Sequence, residues 1–233
     1  MKKIFAITLA ILAFGTGLSA QNITFSEDID VTYGNDVFVV QPLSYIGYGY
    51  HFSGNGMTEE QKAFNSEFFF NVMELGLRPA SWLGIYLGVD YDLDVYRLDD
   101  THFWGAEAGN TVWKRSLGMS TFSDVKTSKL LVHSLTIPLS LEFKAGKCAA
   151  RVGVAGEYNL PATVRNKLLS GTDLTKDRVT GIPTKDFGYS LFGALSYGGL
   201  GIYARYRPVA QFEDGVGPAF TTFTVGGVIG LGF

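Results

Sequence analysis

Apolar and polar residues alternate along most of this chain with a period of two. The longest uninterrupted run is LGIYLGVDYDLDV, from Leu83 to Val95. Leu83, Ile85, Leu87, Val89, Tyr91, Leu93 and Val95 occupy one set of positions, and Gly84, Tyr86, Gly88, Asp90, Asp92 and Asp94 the other. Successive side chains of a strand point to opposite faces, so the run predicts a strand with one apolar and one polar face. It is longer than the roughly 5–6 residues usual in soluble sheets and reaches the roughly 9–11 needed to cross a bilayer at a tilt.

The same period predicts strands near 43–52, 67–78, 83–96, 130–143, 148–158, 186–197, 200–208 and 221–233. One face of each is apolar: Ile46, Tyr48, Tyr50 and Phe52 on the first, and Phe69, Met73, Leu75 and Leu77 on the second. The fourth and fifth carry Leu135, Ile137, Leu139, Leu141 and Phe143, then Val152, Val154 and Tyr158. The last three carry Tyr189, Leu191, Leu195 and Tyr197, then Leu200, Ile202, Ala204 and Tyr206, then Phe223, Val225, Ile229, Leu231 and Phe233. The connections alternate in length. Residues 79–82, Gly146-Lys147 and Gly198-Gly199 are short, and a Gly-Gly pair suits a primed hairpin turn. Residues 53–66, 97–129, 159–185 and 209–220 are long. About eight strands with short turns at one end and long loops at the other predict an all-β fold, an antiparallel up-and-down transmembrane β-barrel spanning 43–233.

The aromatic positions sharpen this. Trp82, Phe143, Tyr197 and Phe233 fall at the short-turn end of their strands. Tyr50, Phe52, Phe69, Tyr91, Tyr189 and Phe223 fall toward the long-loop end. Two outward girdles flanking an apolar band about 25 Å tall mark the interfaces of a membrane barrel. A soluble lipocalin-like barrel hides its apolar face inside and needs no girdles.

The first residues, MKKIFAITLAILAFGTGLSAQ, hold Lys2 and Lys3, an apolar run and a small-residue site, which read as a signal peptide over 1–20 cleaved after Ala20. The run is short for a membrane anchor, and Gln21 offers no thiol for a lipid. Cleavage would leave 17 basic against 22 acidic residues and move the net charge from −3 to −5. That balance disfavours nucleic acid, which would want a basic face. One cysteine, Cys148, excludes an intrachain disulfide framework. Gly at 29 of 233 residues and 14% aromatics, with few helix signals, suit an all-β chain. Residues 21–42 are expected to be a periplasmic lead-in or an extra strand.

The alternating final strand, Phe223, Val225, Ile229, Leu231 and Phe233, resembles that of the small outer-membrane β-barrels of diderm bacteria, porin-like barrels in the style of OmpA, OmpX and PorT. Tyr206 in YARYRP and the segment ELGLRP resemble the family too. The resemblance covers nearly all of the mature chain. It implies an outer-membrane location, lipid as the surrounding partner, and a terminal strand ending in Phe that the barrel assembly machinery reads. It implies little about activity, because a fold does not carry a function.

Candidate chemistry lies on the inner face, which is expected to hold Glu74, Arg78, Asp90, Asp92, Asp94, Glu142, Arg151, Glu157, Arg205 and Arg207. With Gly146-Lys147 as a two-residue turn, Glu142 and Arg151 stand directly opposite, where opposite charges attract. The alternatives are a narrow charged pore and an ion-paired plug. An eight-stranded barrel is only wide enough for its side chains to fill, which favours the plug. The Asp90, Asp92, Asp94 row reads as a hydrated inner face near the mouth and lacks the Gly turn of a calcium loop. His133 and Ser134 are adjacent on a strand and point to opposite faces, so they make a poor nucleophile–base pair. Neither His51, His102 nor His133 has metal-ligand spacing, and no cofactor is expected. In the 97–129 loop, Trp104 and Trp113 stand near Lys114 and Arg115. They are candidates either for contact with an extracellular partner or for a lid over the mouth. Residues 159–185 read as a polar loop, and Pro138 predicts a bulge or gap in its strand. The function expected is a structural or surface-interaction role, with a small ion or solute channel as the alternative; an enzyme is disfavoured.

Overall fold

The computed structural model describes residues 23–25, 31–33, 38–54, 65–107 and 111–230. The expected signal peptide, and Leu231 and Phe233 of the terminal strand, lie outside them. In chain order the strands are β1 (Ile23–Phe25), β2 (Val31–Tyr33), β3 (Phe38–Pro42), β4 (Tyr45–Ser53), β5 (Ser66–Ala80), β6 (Leu83–Arg97) and β7 (His102–Ala106). They continue as β8 (Val112–Ser116), β9 (Asp124–Ala145), β10 (Cys148–Ser170), β11 (Asp173–Ile182), β12 (Phe187–Tyr197), β13 (Leu200–Arg207) and β14 (Thr222–Gly230). Among the described residues only the turn Leu117–Met119 is helical, and it is 3₁₀.

Eight of these strands close on themselves. β4, β5, β6, β9, β10, β12, β13 and β14 pair in antiparallel succession, and β14 returns to β4 from Thr222↔Ser53 to Gly230↔Tyr45. The up-and-down barrel expected from the alternation is therefore present, with no exposed edge along this seam. Two of the three short connections turn on glycines of positive φ, Gly146 in one and Gly198-Gly199 in the other. Gly198 and Gly199 both have positive φ (57° and 87°), as a type I′ turn requires.

Three features differ from the sequence pattern. First, the wall begins before residue 43. β3 runs along the same edge of β5 as β4 does, from Phe38↔Leu77 to Pro42↔Met73. β3 and β4 are thus two halves of one wall strand, broken at Leu43, whose φ is 52°. Part of the 21–42 segment is barrel wall, and β1 and β2 add a small antiparallel ribbon that reaches β3 at Tyr33↔Val40.

Second, β5 carries a bulge, with a register shift between Asn71 and Met73 against β6. One extra residue exchanges the faces beyond it. Leu77 faces outward as expected, but Phe68 and Val72, not Phe69, are exposed on the other side of the bulge, and Phe69 is buried in the lumen. Pro138 does leave a gap: the rungs between β6 and β9 stop at Leu87↔Leu139 and resume at Asp90↔Thr136.

Third, β9 and β10 have 22 and 23 residues and pass far beyond the other strands. The stretch expected to be a polar loop folds as the top of β10, a turn at Gly171 and β11, paired from Ala162↔Ile182 to Ser170↔Asp173. β11 takes over above the point where β12 ends, on the same edge of β10. A three-stranded wall therefore rises above the rim on one side.

The outside of the barrel is apolar. Ile137, Leu139, Leu141, Val152, Val154, Leu191, Leu195, Ile202 and Val225 are all at least two-fifths exposed. Trp82, Phe143 and Tyr197 lie at the short-turn end, with Trp82 stacked on Phe143 at 6.4 Å. Tyr50, Phe52, Tyr158, Phe187, Tyr189, Tyr206 and Phe223 lie toward the other. From Phe143 to Leu135 on β9 the band is about 27 Å along the strand, or about 20 Å along the axis at a tilt near 40°.

Candidate functional site

The inward positions form the candidate site, and they fill the barrel in layers. Their side chains need room, which inward glycines provide. Gly49 and Gly226 are opposite each other on the closing seam. A Cβ at Gly226 would run into the Tyr48 carbonyl and the Gly49 Cα, and 2.7 Å from the Tyr203 ring. Tyr203 therefore lies flat over a patch that only glycine leaves open. Tyr86 lies in the same way over Gly76 and Gly84, and Phe69 over Gly47.

The layer nearest the short turns is built on Arg151. Its Nη1 donates to Glu74 Oε1 at 2.7 Å and its Nη2 to Glu142 Oε2 at 2.8 Å. Glu142 and Arg151 are directly opposite across β9 and β10, as the two-residue turn dictates. The Tyr86 hydroxyl donates to Glu142 (3.1 Å) and accepts from Arg78 Nε (2.8 Å), so Arg78 joins the layer through Tyr86. The Arg151 guanidinium lies 4.5 Å from the Tyr86 ring centroid, a cation–π contact. Ser44 Oγ donates to Glu74 at 3.0 Å.

Next comes a mixed layer. Asp90 accepts from the Tyr45 hydroxyl (2.8 Å) and Asn71 Nδ2 (2.7 Å). Tyr45, Phe69, Tyr203 and Val228 pack together beside it. Above them, Arg205 and Arg207 share four carboxylates. Arg205 Nη1 donates to Glu67 and to Asp92 Oδ2 (2.8 Å), and its guanidinium lies 4.7 Å from the Phe69 ring centroid. Arg207 donates from Nε to Glu157 (2.9 Å), from Nη1 to Asp94 (3.3 Å) and from Nη2 to Glu67 (3.1 Å). Thr136 Oγ1 donates to Asp92 at 2.6 Å. His51 stacks on Tyr96 at 4.5 Å, with Nδ1 3.5 Å from Asp94.

All these charges except Arg78 are at most 9% exposed. The Asp90, Asp92, Asp94 row is therefore not at an open mouth: it is buried, and each carboxylate accepts from donors on other strands or loops. Burying charges is tolerable only with partners and completed hydrogen bonds. Carboxylates outnumber arginines here; Tyr45, Asn71, Thr136, Ser44 and Gln211 supply further donors, while Glu67 Oε2 and Asp92 Oδ1 have no hydrogen-bond partner among the described residues. Among the described residues, no group of three His, Cys, Asp or Glu is arranged to hold a metal.

A cap closes the top. The hairpin of β7 and β8 folds inward under the raised wall. Trp104 is fully buried with Tyr96, Leu98, Val112, Leu130, Val132, Val164, Ile182, Phe212 and Phe220. Its indole Nε1 donates to the Tyr96 carbonyl at 3.2 Å. The Trp104 N–H donates to Ser128 Oγ (2.8 Å), Ser128 Oγ to Asn166 Oδ1 (2.7 Å), and Asn166 Nδ2 returns to the Trp104 carbonyl (2.8 Å). Trp104 is thus a lid residue and cannot be offered to a partner. Trp113, one rung away across the hairpin, is 42% exposed and remains on the surface. Ser134 faces in and bonds Asn159, whereas His133 faces out to the Tyr91 hydroxyl, so they are not brought together.

Tyr45 and His51 fall in the lumen as the alternation of Ile46, Tyr48, Tyr50 and Phe52 implies, whereas Glu67 and Asn71 belong to the lumen against the alternation. Glu67 and Asn71 lie on the far side of the β5 bulge, where alternation counted from Leu77 assigns them outward. A charged residue in an otherwise aromatic stretch, SEFFFN, was the available signal.

No protein-family model and no curated protein matches this chain.

Proposed function

We propose that this chain spans the outer membrane of a diderm bacterium as a plugged barrel with a structural or surface-interaction role: envelope integrity, adhesion, or display of its loops and raised wall. The carrying observation is the lumen itself. Two arginine–carboxylate layers, with an aromatic layer between them and an apolar cap above, occupy the path an ion would take. The membrane part of the reading is supported by the exposed apolar band and its flanking aromatics, since a water-soluble protein rarely leaves so large an apolar surface uncovered. Export through the signal peptide over 1–20 and recognition of the terminal strand by the barrel assembly machinery belong to the same proposal. The inner residues act as a rigid filling. Among the described residues His133 and Ser134 face opposite sides of the wall and make no nucleophile–base pair, and the proposal needs no cofactor.

The test is single-channel recording of the refolded mature chain in a planar bilayer. A silent, inserted protein is the expected result. Reproducible current steps that change in Arg151→Ala would replace the scaffold reading with a small ion channel. Insertion is checked separately: a folded barrel shifts its gel mobility on boiling. Recovery of the native protein free in the periplasm would overturn the membrane reading.

A further inference from the structure

The closing seam of the barrel meets the upper ionic layer at one place. Tyr203 leaves β13, passes over Gly226 of β14 and ends with its hydroxyl against Gly49 of β4. The Thr224 methyl group reaches the same spot, 2.9 Å from where a Cβ on Gly49 would stand. Gly49 is opposite Glu67 of β5, and Thr224 is opposite Arg205 of β13. Arg205 Nη1 in turn joins Glu67 Oε1 to Asp92 Oδ2. Two hydroxyls, two carboxylates and a guanidinium from four strands therefore share one neighbourhood of the lumen.

All five residues are at most 5% exposed. Each also keeps one polar atom without a hydrogen-bond partner among the described residues: Tyr203 Oη, Thr224 Oγ1, Glu67 Oε2, Asp92 Oδ1 and Arg205 Nε. Native folds leave few buried polar atoms unbonded, because each one forfeits its hydration without return. Here the unbonded atoms are gathered rather than scattered, and their chemistry restricts what can serve them. An ionised carboxylate only accepts, a guanidinium N–H only donates, and a hydroxyl does either. A cation would face the guanidiniums of Arg205 and Arg207, both already bound to Glu67. An anion would face the carboxylates of Glu67 and Asp92. The fitting ligand is uncharged, donates to the carboxylates, accepts from Arg205, and is small enough for a lumen filled by side chains. Water meets all of these conditions.

We infer that this neighbourhood is an internal water site, in which bound water bridges Tyr203 and Thr224 of the seam to Glu67 and Asp92 on β5 and β6. This rests on the plugged-barrel reading above. The site lies between the apolar cap and the cluster of Tyr45, Phe69 and Val228, so its water exchanges with bulk only when the filling opens. A bridging water is nearly as favourable as a direct hydrogen bond. It fastens β13 and β14 to β5 and β6, with which neither of them pairs.

The experiment is oxygen-17 magnetic relaxation dispersion on the refolded mature chain in detergent micelles, which detects water held long enough to tumble with the protein. The wild type is expected to show a dispersion. Tyr203→Phe with Thr224→Val keeps the ring over Gly226 and the branched side chain beside Gly49 but removes both hydroxyls. That variant should lose part of the dispersion amplitude and keep the boiling-dependent gel shift. Tyr203→Phe alone gives a second readout. Removing a hydroxyl that is bonded to water costs stability, so the urea midpoint should fall. Removing one that is buried without a partner relieves the fold, so a raised midpoint would overturn the inference. Equal amplitude in wild type and double variant, or no dispersion in a wild type that stays silent in planar bilayers, would overturn it too and leave the plugged barrel standing. Current steps from the wild type would overturn the plugged barrel and this inference with it.

Discussion

Arg151 concentrates the logic of the lumen in one side chain. Its guanidinium holds two carboxylates from two other strands. Arg151→Ala leaves Glu74 buried without its cation and Glu142 with Lys144 alone, 3.2 Å away, which should cost about 3–5 kcal/mol. Urea titration of refolding into vesicles measures this; a loss under about 1 kcal/mol would mean that water reaches the carboxylates freely. Gly226 makes the opposite kind of demand, for the absence of atoms. Gly226→Ala pushes a methyl group into the backbone of β4 and should prevent closure, seen as loss of the boiling-dependent gel shift. Gly156, with no atom within 4 Å of its Cβ position, is the control. Gly156→Ala should be neutral or stabilise by up to about 1 kcal/mol, because it restricts the unfolded chain. At this scale the sequence is partly readable. Opposed charges such as Glu142 and Arg151 follow from a two-residue turn and a period of two. Which glycine lies under which aromatic ring does not, because that contact joins strands far apart in the chain.

Elements were legible where one pattern governed them. β6 and the lower parts of β9 and β10 alternate without interruption, so their faces follow from counting. β5 does not, because its bulge exchanges faces at Val72, and a bulge depends on the partner strand more than on its own residues. The upper parts of β9 and β10 escaped notice for a different reason. Above the rim, one face packs a small apolar cap and the other is cationic, so the stretch has the composition of a loop. The cap makes a distinct prediction. Trp104→Ala removes the largest side chain of that core and should cost about 3–5 kcal/mol locally. Limited proteolysis should then cut within 97–124 while the barrel keeps its boiling-dependent gel shift. Resistance equal to the wild type would mean that the indole is not what holds the cap.

At the scale of the whole molecule, cap and lumen are separable. The ionic layers lie beneath the cap and are anchored on barrel strands, so Trp104→Ala should loosen the mouth and still leave planar bilayers silent. Current steps in that variant alone would make the cap the gate and the lower layers permeable. Closure is also a property of the whole: the β14–β4 pairing completes a ring to which all eight strands contribute, so variants at the seam should fail as a unit rather than locally.

Sequence alone determined the all-β class, the eight wall strands, the apolar outside and most of the charges inside, because each follows from side-chain direction along a single strand. Tertiary structure decided what those charges do. Whether seven buried carboxylates line an open path or a closed filling depends on which arginine from which strand reaches them, and that is a matter of distances across the barrel. It also decided that Phe69 points inward, that Trp104 is buried while Trp113 is not, and that Tyr203 reaches Gly49, since register between strands leaves no mark in the order of residues along any one of them.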